Sequence, residues 1–174
     1  AGWRWAFAGS AVSTAISLAI IMLYVPSGQV RKGERGNLFS DFRVVLKSRP
    51  AMAYILGYTA HMWELFSFRS WVVAFLAFSI RMQPAGVFTW SPTQVAFLSN
   101  LIGLPSSIGG NELSRKFGRR RVVTIVMLGS AGLGAALGFT ATLPYMLVVL
   151  LVIIYGTTVT GDSASLTAGA VAAA

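Results

Sequence analysis

Four ionisable residues stand where apolar residues otherwise predominate. "LGYTAHMWELFSFRSWVVAFLAF", residues 56–78, carries His61, Glu64 and Arg69. "YGTTVTGDSASLTAGA", residues 155–170, carries Asp162 as its one charge, among threonines, serines and glycines. A carboxylic acid or an imidazole can take up and release a proton, and a guanidinium can hold an anion. Each such group costs about 2.5–3.5 kcal/mol or more in hydrocarbon, so it must face a cavity or another helix. On a helix turning about 100° per residue, Tyr54, Gly57, Tyr58, His61, Glu64 and Arg69 share one arc of about 140°. His61 and Glu64 are three apart and can touch. Glu64 and Arg69 lie at opposite edges of the arc and require partners from other helices. Two readings stay open. The groups make structural contacts between helices, with Asp162 paired to a basic residue such as Arg69, or they handle a solute or a proton. Tyr54 and Tyr58 divide the same way between packing and ligand contact.

Other chemistries find little support. The chain has no cysteine and a single histidine, which removes thiol catalysis and a histidine-rich metal site. It has no Gly-x-Ser-x-Gly elbow and no Gly-x-x-x-x-Gly-Lys-Ser/Thr loop. An isolated Gly161–Asp162 is too weak a signal for an intramembrane aspartic protease. No metal and no cofactor are expected.

The elements that must position these residues follow from composition. Charged residues are 11% of the 174 and apolar ones 55%, where a soluble domain carries about a quarter charged. The apolar runs are continuous and reach the roughly 20 residues that cross a bilayer. An all-α polytopic membrane protein is expected, with five spans: about Trp5–Val25, Pro50–Ile80, Thr93–Glu112, Arg121–Thr140 and Pro144 to the end. Pro105 should kink the third span. Ser130, Gly134 and Gly138 recur every fourth residue in the fourth, as a small-residue packing seam does. Leu38, Phe39, Phe42, Val45 and Leu46 have the spacing of a short amphipathic helix on the membrane surface. The chain starts without a methionine and ends inside an apolar run, so it reads as a fragment of a longer membrane protein.

The net charge of +9 does not indicate nucleic acid, because it is concentrated in two loops. Arg31, Lys32, Arg35, Arg43, Lys47 and Arg49 fall in one gap, and Arg115, Lys116, Arg119, Arg120 and Arg121 in another. With five spans, both loops lie on the same side, and the other two loops share one basic residue, Arg81. Basic loops mark the cytoplasmic face.

The second basic loop, "GNELSRKFGRRRVV", resembles the signature loop of the major facilitator superfamily, a glycine-led cytoplasmic turn closing in x-Gly-Arg-Arg/Lys. Gly118, Arg119 and Arg120 match its close, Lys116 a basic position and Leu113 an apolar one. The leading glycine falls instead on Asn111, and the usual aspartate on Arg115, with Glu112 nearby. This is similar to the degenerate second copy, between helices eight and nine. "GWRWAF" resembles the start of helix six. "GYTAHMWELF" and "GDSASLTAG" are similar to helices seven and ten of bacterial members near the cyanate, nitrate and nitrite porter branch.

The resemblance implies a division of the chain. Residues 1–26 would be the last helix of the N-terminal half, 27–49 the cytoplasmic central loop, and 50–174 four helices of the C-terminal bundle. It implies a secondary transporter of a small solute working by alternating access, with protons as a candidate coupling ion. Its partners would be the lipid bilayer and the remaining helices of the same protein, in a bacterial cytoplasmic membrane. It places Tyr58, His61, Glu64, Arg69 and Asp162 at the transport cavity. Glu112, Lys116, Gly118, Arg119 and Arg120 would form a conformational latch. The alternative is a membrane scaffold or sensor that moves nothing.

Overall fold

The computed structural model describes residues 3–24, 43 and 45–173, and the side chains of residues 3–6 are not among those described. Every regular element among them is an α-helix. The chain divides into two units, Ala1–Asn37 and Leu38–Ala174. The first contains α1 (Trp3–Tyr24). Its 22 residues rise about 33 Å, enough for a bilayer. Thr14 and Ser17 donate their hydroxyls to the carbonyls of Ser10 and Ser13, both at 2.9 Å, so neither presents a free donor to lipid. The amphipathic segment expected at residues 38–46 lies largely outside the described residues.

The second unit holds α2 (Arg49–Arg81), α3 (Pro92–Phe117), α4 (Arg119–Leu137), α5 (Tyr145–Gly161) and α6 (Ser163–Ala173). Ser48 caps α2 by accepting from the Ala51 N–H at 3.4 Å, and Pro50 occupies the first turn, where a missing N–H costs nothing. At 33 residues α2 is about 50 Å long. This exceeds the hydrocarbon thickness, so the helix tilts or protrudes.

Among the described residues, four helical stretches are long and apolar enough to cross a membrane: Phe7–Tyr24, Arg49–Arg81, Arg119–Leu137 and Tyr145–Ala173. The expected third span, α3, has ample length at 26 residues. Its composition keeps it outside that set, because Gln94, Asn100, Asn111 and the Glu112–Lys116 end dilute its apolar content. The helix runs on through Pro105, which has no N–H to offer the preceding turn.

The last span departs from the expected single helix. It carries a one-residue irregularity at Asp162, whose φ −99° and ψ −10° stay in the right-handed helical region between α5 and α6 and whose carbonyl still accepts from the Leu166 N–H at 2.9 Å. The α3–α4 connection is Gly118 alone, with φ +91° and ψ +123°. That positive φ is strained for any residue with a Cβ, which explains the glycine between two basic helix ends.

Helix α5 is the centre of the bundle and touches α2, α3 and α4. Its Tyr145, Val148, Val149 and Val152 form the core with Phe68, Val72 and Leu76 of α2 and Val95 of α3. The α3–α5 seam is built from small residues. A Cβ on Gly110 would collide with the Gly161 carbonyl, and one on Gly156 with the Ser99 hydroxyl. Such close approach lets Ser106 donate to the Thr157 carbonyl at 2.6 Å. Of the expected α4 seam, Ser130 is buried and Gly134 lies under the Tyr155 hydroxyl, while Gly138 meets no neighbouring helix. At the opposite end, Ser79 of α2 and Gln83 just beyond it donate to the carbonyls of Ala141 and Leu143, at 2.9 and 3.0 Å, and tie that end of α2 to the α4–α5 turn.

Candidate functional site

The polar arc of α2 is real, but its members turn to different helices. His61 sits at the irregularity in the last span. Its Nδ1 lies 2.8 Å from Asp162 Oδ1, and its Nε2 lies 2.8 Å from the Ser163 hydroxyl. His61 is 1% exposed and Asp162 4%. The approach to Asp162 is short but poorly aligned, since Oδ1 receives no hydrogen bond of good geometry. The contact is therefore mainly electrostatic, and it is an ion pair whenever the imidazole carries its second proton. In the neutral ring with hydrogen on Nδ1, Nε2 accepts from Ser163; in the imidazolium, Ser163 must accept instead. A change of protonation at His61 thus reverses a hydrogen bond on the first residue of α6.

The turn before that irregularity is rich in back-bonding hydroxyls. Thr157, Thr158 and Thr160 all turn their hydroxyls back onto carbonyls of α5. Side chains of this kind compete with the helical ladder near a helix end. Gly161, the residue before Asp162, presses against Gly110 of α3.

Glu64 makes a separate site. Its Oε1 accepts from the Tyr155 hydroxyl of α5 at 3.0 Å, and its Oε2 from Ser130 of α4 at 3.2 Å. Tyr155 also meets Phe68 edge to face, with centroids 5.1 Å apart. Arg69 makes a third, its Nε donating to Asn100 Oδ1 of α3 at 3.0 Å. One helix is thereby joined to its neighbours by three polar links at three levels.

These partners correct several expectations. Asp162 pairs with His61, not Arg69, because Arg69 lies about two turns further along α2, level with Asn100. His61 and Glu64 do not bond each other, because each is claimed by a different helix. Tyr58 lies beside the His61 ring, at 5.8 Å between centroids. His61 and Asp162 do not line an open cleft; they are enclosed between α2 and the α5–α6 junction. The sequence reading missed Tyr155 and Asn100 as partners. Asn100 was visible as an amide within a span, whereas nothing in the spacing of Tyr155 linked it to Glu64.

In the α3–α4 loop, Glu112 pairs with Arg115 at 3.0 Å, both two-thirds exposed. Lys116 lies 5.4 Å over the Phe117 ring. Arg119 Nε is buried without a hydrogen-bond partner, and so is Asn111 Oδ1. Among the described residues neither Arg119 nor Arg120 makes a side-chain hydrogen bond or ion pair.

Long apolar helices that bury ionisable residues only in interhelical contacts define an integral membrane helical bundle. The model of the Major Facilitator Superfamily matches residues 1–173, and the chain belongs to that superfamily of membrane transporters. Comparison with curated proteins and with solved structures gives no match.

Proposed function

We propose that the chain moves a small solute by alternating access, and that the His61–Asp162–Ser163 cluster couples that movement to a proton. The observation that carries this reading is the buried acid–imidazole contact at the irregular turn of a spanning helix. An irregular turn inside a spanning helix is a point at which one half can pivot on the other. Protonation at His61 or Asp162 changes the attraction at that turn and the direction of the Ser163 hydrogen bond. That gives α6 two arrangements relative to α2, which is what a gate requires.

The α3–α4 loop suits a latch, because Gly118 is set at an unusual backbone angle and the buried Arg119 Nε is free to find a partner in another state. The two basic loops suit a cytoplasmic placement, in a bacterial inner membrane if the porter-like resemblance holds. Residues 27–49 would be the central loop, and further helices of the same protein would complete the pathway. Small anions such as nitrate and cyanate are the first solutes to test, since Arg69 is exposed and that resemblance points the same way.

The test is flux into proteoliposomes under an imposed pH gradient, with wild type, Asp162→Asn and His61→Gln. Coupling predicts flux that no longer follows the gradient in proteins that still melt normally. The enclosure of the pair also favours a purely structural clamp. That reading predicts a lowered Tm in both variants, with pH-dependent flux retained in whatever protein survives.

A further inference from the structure

Between α2, α4 and α6 lies a cleft of about 570 Å³ that no part of the proposed transport step uses. Arg49 and Arg120 stand at its mouth, and Tyr54, Gly57, Met127 and Leu166 form its wall. Both arginines lie in the first turns of their helices, at the end of the bundle that carries the basic loops. Neither has a carboxylate partner among the described residues; the acid of the α3–α4 loop, Glu112, is occupied by Arg115. From Arg49 to Gly57 the cleft descends about 12 Å along α2. A second groove, of about 690 Å³, adjoins it and shares Arg120 and Thr124; Arg119 and Arg121 line its other parts.

Two unpaired cations above an apolar wall, at the level where a spanning bundle leaves the hydrocarbon, match one kind of molecule. We propose that this cleft binds an anionic phospholipid. The headgroup phosphate bridges Arg49 and Arg120, and the start of an acyl chain lies along Tyr54, Met127 and Leu166. Arginine suits the phosphate because its planar fork binds two oxygens at once. An inorganic phosphate shares the charge but has nothing to place against the apolar wall. A zwitterionic lipid shares the chain but carries a headgroup cation that the arginines repel.

The experiment uses the 174-residue chain in detergent micelles doped with phosphatidylglycerol or phosphatidylcholine, and separately with inorganic phosphate. Lipid retention is read by native mass spectrometry, and the lipid-induced change in Tm by thermal unfolding. Phosphatidylglycerol should be retained in preference and should raise Tm, while phosphate alone should do neither. Arg49→Gln and Arg120→Gln should each weaken retention about fivefold, the usual effect of one basic residue at an anionic lipid surface. Ala53→Trp, which fills the cleft and keeps both arginines, should abolish the preference. It also decides the matter if an arginine variant proves unstable. Equal retention of the two lipids, unchanged retention in the variants, or a Tm rise with phosphate alone would each overturn the proposal.

Discussion

Asp162→Ala should be among the more damaging single changes in this chain. It leaves His61 buried without its acidic partner, and stranding one member of a buried pair costs about 3–5 kcal/mol. Thermal unfolding in detergent should show a fall of several degrees for the alanine variant and a near-normal Tm for Asp162→Asn, which keeps the shape and an acceptor. Glu64 differs in kind. Glu64→Gln can still accept from Tyr155 or Ser130, whereas Glu64→Leu leaves the Tyr155 hydroxyl without its acceptor, at about 1–3 kcal/mol where it is buried, while Ser130 keeps the Met127 carbonyl at 3.1 Å. The glutamine variant should therefore melt well above the leucine variant, and equal melting would show that the Tyr155 and Ser130 bonds contribute nothing. The residue types and the face of α2 they occupy were legible in the sequence, because helical period and the cost of charge in lipid fix both. The pairings were not. Whether Asp162 meets His61 or Arg69 depends on the relative height of two helices, and helical period carries no information about that height.

The helices themselves were read to within a few residues where apolar runs end at proline or glycine, as at Pro50, Pro92 and Gly118. The irregularity at Asp162 escaped, since apolar and small residues continue on both sides and nothing in them marks a helix end. The polarity of α3 was understated for a related reason. Ser106 is accommodated at the small-residue seam with α5 and Asn100 by Arg69 of α2, neither of which a run-by-run reading sees. Gly156→Leu should destabilise that seam by about 1–3 kcal/mol or more, as overpacking does, and Gly110→Leu should do the same; urea or thermal melts would show it. Gly118→Leu acts through backbone strain instead, at about 1–3 kcal/mol. If the loop is a latch, that variant should also slow transport by protein that inserts normally. Unchanged flux in both Gly118→Leu and Arg119→Ala would remove the latch.

At the scale of the molecule, the placement of charge carries an expectation that labelling can test. Two basic loops on one face predict that single cysteines at Lys32 and Lys116 are protected from an impermeant thiol reagent in intact cells, while one at Gln83 is labelled. Labelling of both basic loops from outside would invert the orientation. Family membership was legible in one loop, through Gly118, Arg119 and Arg120, because that turn combines a backbone angle with a charge pattern. The solute was not, since no contact with one is written in local spacing. The His61–Asp162 contact also bears on biosynthesis. Ser163 follows His61 by 102 residues, so α2 leaves the ribosome and enters the bilayer well before the acid arrives. A lone aspartate at mid-span hinders insertion by about 2.5–3.5 kcal/mol. An imidazole already in place offers it a partner as it partitions. His61→Leu should then reduce integration of the last span in a cell-free translocation assay, although the mutated residue lies in a helix that has itself inserted normally.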